Sequence, residues 1–462
     1  MWAISLQRRR PSFVVVVGFG IDGQTGACGF AGRPVRRTVG GLIERSAERW
    51  RMDTGTQAAD LGFSFAYDPG ELRCGRGCVA DLGSLLADRG LDDALVVTGA
   101  NVGANSAVMD PVLAGLGDRL AAVFDETTPE KPLATGLEAA RMVRDADVDA
   151  LVAVGSGSSL DVAKVASALS SHDDPEAGAQ RALESGTVPV AADGAPTPIV
   201  AVPTTFAGAD LSVIAGVSLT LDPESRPADA VPSGSVSDRR LMPTALVYDL
   251  ALFETTPRGV RCASAMNGFD KAVECLYSPH RTPITDGTAM RALSLMQSGF
   301  ETLPEQPMEE EQLYDAVAGV VLAQYGISTP GTYRASIIHA FGHGFSKDYD
   351  VHQGTIHGIV APHVLRYVFD QVHGRRDLLA SALGVADDAG TDQELADRVV
   401  TAVRSVREDL ELPSRLRDVD GLDRDDLPAI AATIREDSLM AVTPAGLDPS
   451  ADDIESVLQD AW

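Results

Sequence analysis

From about Phe63 to Leu252, short apolar runs alternate with longer amphipathic stretches. Ala94-Leu95-Val96-Val97-Thr98 stops at Gly99, Ala150-Leu151-Val152-Ala153-Val154 runs into Gly155, and Pro198-Ile199-Val200-Ala201-Val202-Pro203 is a third run. Continuous apolar runs of this length are the pattern of parallel strands buried on both faces, with helices crossing between them. Residues 222–242, rich in Asp, Ser, Pro and Gly, read as a loop or hairpin region. After Leu252 the strand signals vanish and a helical period continues to the end. The pattern predicts a Rossmann-like α/β domain over residues 62–252 and an all-α domain over 253–462. A cleft between such domains is the default place for a site.

Residues 1–61 fit neither pattern. The first 51 hold nine Arg and three acids, a net of +6, whereas the rest carry a net of −34. Val14 to Val17 leads into Gly18-Phe19-Gly20-Ile21-Asp22-Gly23, a match to the dinucleotide fingerprint. Gly26, Gly29, Gly32 and Pro34 then occupy the place of the helix that the fingerprint requires. The expectation is an extension, disordered or arising from a mis-assigned start, with Met52 as the true first residue.

Composition narrows the class. A net charge of −28 argues against a nucleic-acid partner, because phosphate binding needs a basic face. No apolar run is long enough to span a bilayer. Five cysteines form no CxxC pair, which fits a reduced, cytoplasmic protein. Only four lysines occur, at 131, 164, 271 and 347, against 34 arginines. An acidic, lysine-poor surface suits a halophilic protein that stays soluble at high salt, although a GC-rich genome also exchanges Lys for Arg.

Three segments carry candidate chemistry. Gly155-Ser156-Gly157-Ser158-Ser159-Leu160-Asp161-Val162-Ala163-Lys164 follows one buried run and opens a helix. Small residues there let a backbone approach a pyrophosphate at a helix N-terminus, although plain strand-to-helix turns use the same residues. Pro203-Thr204-Thr205-Phe206-Ala207-Gly208-Ala209-Asp210 follows another strand, where hydroxyls suit ribose or nicotinamide or merely cap a helix. In the helical half, Asn267 and Lys271 are spaced i, i+4, as are His339 and His343, so each pair projects from one helix face. Five of the eight histidines lie between 339 and 363.

Jointly these segments resemble the iron-containing (group III) alcohol dehydrogenase family, over roughly residues 62–460. The glycine-serine segment is similar to the family's GGGSxxDxAK, His339 to His343 to its HxxxH, and Val351 to Val364 to its PHG...LLPHV run. Within the family, Pro203 to Gly208, the Met266-Asn267 pair and His357 resemble the maleylacetate reductases. The resemblance implies a dehydroquinate synthase-like architecture and NAD or NADP as cofactor. Gly155, Ser156, Gly157, Ser158, Asp161, Lys164, Thr204 and Thr205 would then contact the cofactor. It implies a catalytic set of Lys271, His339, His343 and His357, with His343 as the proton relay.

The metal positions of relatives, Asp, His, His and His, read here as Asn267, Lys271, His339 and Gln353. Only one of these is a good ligand, so a divalent iron or zinc ion is disfavoured. Lys271 then either assists a developing oxyanion electrostatically or merely pairs with Glu274 three residues on. Gly99 stands where NAD-preferring relatives carry an acid, so NADP is permitted. The expected function is reduction of a small carbonyl compound, or of a maleylacetate-like double bond. Lys271, the histidines and Arg334 are candidates to hold an anionic substrate, and the partners expected are that small molecule and a second copy in a homodimer. A metal-dependent alcohol or polyol dehydrogenase and a non-catalytic cofactor-binding protein are the alternatives.

Overall fold

The three apolar runs form the middle of one sheet. In chain order the strands are β1 (Glu71–Cys74), β2 (Ala94–Gly99), β3 (Leu120–Thr127), β4 (Ala150–Gly155), β5 (Ile199–Pro203), β6 (Ile214–Ser218), β7 (Ser233–Ser237) and β8 (Ala245–Tyr248). The computed structural model describes residues 62–222, 231–329, 331–346, 349–387 and 390–462. The expectations for residues 1–61, including Met52 as a start, lie outside the described residues.

Six strands make a parallel sheet in the order β1-β8-β5-β4-β2-β3. Leu95, Val97, Leu151, Ala153, Ile199 and Ala201 pack on one face, and Val96, Val152, Val154, Val200 and Val202 on the other. Alternate residues of a strand point to opposite faces, so a sheet buried on both sides demands the continuous runs seen in the sequence.

The strands that the runs do not reveal are β1, β3 and β8. β1 and β3 are the two sheet edges and carry exposed polar positions such as Glu71 and Asp125. β8 is fully buried but only four residues long. The 222–242 region supplies β7, which pairs antiparallel with β6.

Helices dominate from Leu250 onward, including Leu250–Glu254, Arg258–Tyr277, Pro283–Phe300, Glu310–Gln324, Ile337–His343 and Gln353–Gln371. One departure from the all-helical expectation is a small hairpin, Ser328–Thr329 against Thr332–Tyr333. Phe63–Trp462 forms one compact unit, and a single apolar core runs from one sheet face into the helices. The change at about residue 250 is therefore one of secondary structure, not of core. Among the described residues no helix is long and apolar enough to cross a membrane.

The topology itself selects a site. The chain leaves β2 toward the β3 edge and leaves β4 toward β5 on the other side. Where strand order reverses, the loops part and leave a crevice outside the strand C-termini, the usual ligand position in open α/β sheets. Here that crevice lies at Gly99 and Gly155.

Candidate active site

β4 ends at Gly155, whose φ of +121° no side-chain-bearing residue adopts readily. Ser156 then caps the 14-residue helix Gly157–Ser170, and its side chain makes no capping hydrogen bond. The first-turn N–H groups are left for another acceptor. Ser156, Gly157 and Ser158 are partly exposed, and a Cβ at Gly157 would meet only Ala209 Cβ, at 3.5 Å. This geometry fits a dinucleotide pyrophosphate. The neighbouring turn is tied to it, since Thr204 N donates to Gly155 O at 3.0 Å. Thr204 and Thr205 are both buried.

Two predicted cofactor contacts are engaged with protein instead. Asp161 pairs with Lys131 at 2.8 Å. Lys164 is fully buried and donates to Ala209 O at 2.7 Å and Ile214 O at 3.1 Å. Burial pushes its ammonium down to about 8. Its place is as a brace for the loop between β5 and β6.

Opposite this loop runs the Arg258–Tyr277 helix. Asn267, Lys271 and Glu274 share a face of it by their spacing. Lys271 is 7% exposed, and its Nζ donates to Ala207 O at 2.5 Å. In the amide orientation that satisfies both ends of Gln324, Oε1 accepts from Lys271 Nζ at 3.2 Å and Nε2 donates to Gly208 O at 2.8 Å. Gly208 has φ +69°, and a Cβ there would lie 2.1 Å from Gln324. The loop can close on that amide only as glycine. Burial pushes Lys271 down to about 8, with Asp210 and Asp161 opposing the shift.

The predicted alternative partner of Lys271, Glu274, is engaged elsewhere. Its Oε2 accepts from His339 Nδ1 at 2.5 Å and from Ser336 N at 2.8 Å, and its Oε1 accepts from Ile338 N at 2.6 Å. It thus holds the N-terminus of the Ile337–His343 helix, a favourable place for a carboxylate. Burial raises Glu274 to about 7 against the pull of those N–H donors. With Nδ1–H donating, His339 carries its lone pair on Nε2, which is buried and has no partner in the structure. Burial, and next the Lys271 charge, hold His339 well below the usual histidine range.

The remaining predicted residues divide. His343 is at the solvent boundary, with its side chain 45% exposed and Nδ1 2.9 Å from Asp437 Oδ2. His357 is fully buried, with its ring centroid 4.5 Å from that of His339 and its Nδ1 3.4 Å from Asp270 Oδ2. It packs against His339 and has no exposed atom with which to meet a substrate. Arg334 donates to His280 O, Gly326 O and Thr329 Oγ1, so the expected contact to an anionic substrate gives way to a structural role. Gln324 and Asp437 were not anticipated. Gln324 is fully buried at the end of the Glu310–Gln324 helix, and a lone amide closing an apolar run is the only signal the sequence offered.

The positions implied for a metal do not fit one. Asn267 Nδ2 donates to Gln353 Oε1 at 3.3 Å, Lys271 offers only donors while protonated, and His339 Nε2 is the single good lone pair. Among the described residues no three His, Cys, Asp or Glu side chains converge to hold an ion.

Residues 69–250 match the family model described as iron-containing alcohol dehydrogenase, and residues 261–462 match that of the family's C-terminal region. The chain is 26% identical to lactaldehyde reductase of Escherichia coli (strain K12) over 397 residues, covering 84% of this chain and 97% of that protein. It is 30% identical to maleylacetate reductase 2 of Cupriavidus pinatubonensis over 291 residues, 62% of this chain and 68% of that protein. Among solved structures, sulfoacetaldehyde reductase from Bifidobacterium kashiwanohense in complex with NAD+ superposes with a TM-score of 0.74 at 19% identity. That match covers 87% of this chain and 99% of the other.

Proposed function

The chain belongs to the iron-containing alcohol dehydrogenase family and is an oxidoreductase, and from that premise we propose that it reduces a small, oxygen-rich carbonyl compound with NADH or NADPH. One observation carries the proposal. Within four residues of one loop, Thr204 N holds Gly155 O at the glycine-serine turn, and Ala207 O holds Lys271 of the helical cluster. The cofactor turn and the polar cluster are thereby joined across the crevice.

A reduced nicotinamide bound at this turn supplies the hydride. Ser156, Gly157, Ser158 and the first-turn N–H groups hold its phosphates. His339 Nε2 accepts a hydrogen bond from the substrate and so orients it. His343, steadied by Asp437, exchanges protons with solvent. No carboxylate stands at Gly99 to repel a 2′-phosphate, so both nicotinamide cofactors are admitted. The maleylacetate reductase relatives favour a second reading, reduction of an activated double bond in a keto acid.

Loss of NADH or NADPH absorbance over a panel of hydroxy-aldehydes, keto acids and maleylacetate, at low and molar salt, tests this. We expect saturable, protein-dependent oxidation with at least one compound. Tight cofactor binding with no turnover anywhere in the panel sinks the proposal.

A further inference from the structure

We propose that the Lys271 ammonium takes the place of a metal ion as the electrophile that polarises the substrate's carbonyl oxygen. The inference rests on the function proposed above and adds the identity of the group that stabilises charge.

Four features of the structure support it. First, Lys271 is held in place without being neutralised. Ala207 O and Gln324 Oε1 are both uncharged acceptors, and they account for two of its three N–H bonds. Second, the nearby acids are each engaged elsewhere. Asp161 pairs with Lys131, Asp210 accepts from Tyr248 Oη, and Glu274 accepts from His339. Among the described residues no carboxylate lies within ion-pair distance of Lys271. Third, Lys271 keeps 7% of its surface open, whereas Lys164, which is held by carbonyl oxygens in a similar way, keeps none, so of the two buried ammoniums only Lys271 can meet a substrate. Fourth, His339, near enough to feel the Lys271 charge, presents a buried nitrogen lone pair with no partner in the structure. A fixed cationic donor with no contact anion is suited to meet a carbonyl oxygen on which negative charge develops.

The step balances without any metal. The carbonyl carbon gains the hydride, and NAD(P)H leaves as NAD(P)+. The C=O π pair becomes a lone pair on oxygen, held by the third N–H of Lys271. A proton from water completes the alcohol, and the lysine stays charged throughout. Because the ammonium is already fixed before the charge develops, little reorganisation is needed.

The test begins with the unmodified protein. Its metal content is measured, and turnover of the best carbonyl from the panel is compared before and after chelator treatment. We expect substoichiometric metal and an unchanged kcat. Lys271→Met should then lower kcat by on the order of 10²–10³-fold, the effect of removing one oxyanion donor, while NAD(P)H affinity changes little. If Lys271→Met does not fold, Gln324→Glu carries the test. It keeps the side-chain size but sets a negative charge against Nζ, and kcat should again fall with cofactor affinity retained. Chelator-sensitive activity restored by iron or zinc overturns the inference, and so does a folded Lys271→Met with the parent's kcat. In either of those outcomes the protein still turns over a carbonyl, so the functional proposal survives. A panel with no turnover at all fails that proposal instead.

Discussion

At the scale of single residues, the site works by controlling which atoms remain free. Glu274 is the clearest case. Its carboxylate fixes the His339 tautomer and holds the N-terminus of the Ile337–His343 helix at once. Glu274→Gln keeps the shape, but its NH2 faces an N–H donor whichever way the amide turns. Toward Ser336 it forces His339 to accept on Nδ1 and carry its proton on Nε2, and toward Ile338 it releases the N-terminus of the helix that carries His339; either way the Nε2 lone pair is lost or displaced. We expect kcat to fall by on the order of 10²-fold, the size of a lost positioning contribution, with cofactor affinity nearly unchanged. A kcat within twofold of the parent in a folded variant removes His339 from the chemistry. The spacing of Asn267, Lys271, His339 and His343 made this cluster legible in the sequence, because i, i+4 pairs on helices need no tertiary knowledge. The partners were not legible. Glu274 reaches 65 residues ahead to His339, and Gln324 meets Lys271 from a different helix, so no local spacing announces either.

Elements set the position of these atoms, and the loop between β5 and β6 is the one that matters most. Lys164 holds it at Ala209 O and Ile214 O, and Lys271 holds it at Ala207 O. Lys164→Met leaves two carbonyls unpaired, which should cost about 1–3 kcal/mol and weaken cofactor binding. The pH dependence has a definite sign. Burial lowers the folded-state value of Lys164 to about 8 from the ordinary 10.5. Between those two values the unfolded chain holds a proton that the folded chain has released, so this group adds stability as pH rises. Thermal midpoints of the parent and of Lys164→Met, measured side by side from pH 7 to 10, should therefore diverge in favour of the parent. A gap that stays constant or closes contradicts this account of Lys164. The same physics explains which strands the sequence revealed. β2, β4 and β5 are central and apolar on both faces, whereas the edges β1 and β3 interleave solvent-facing positions and β8 is too short to register as a run.

For the whole molecule, the charge distribution divides labour between the two basic residue types. Arginine makes many of the surface ion pairs, such as Arg76 with Glu254 and Glu310, and Arg375 with Asp286. Of only four lysines, three, at 131, 164 and 271, gather around the site, where a compact ammonium suits carbonyl and carboxylate acceptors. Lysine scarcity is therefore a clue to function, and the amino-acid composition alone displays it. The rest of the surface carries the net −28 and must repel itself. Screening at about 0.15 M salt already shortens the reach of such charges to roughly 8 Å, and molar salt shortens it to roughly 3 Å. If self-repulsion limits stability, the thermal midpoint should climb most steeply over the first few tenths molar KCl and flatten beyond. Sucrose, which stabilises by exclusion without screening, should not reproduce that early rise. A midpoint indifferent to KCl, or one that climbs equally with sucrose, means that the acidic surface does not govern stability and that its composition has another origin.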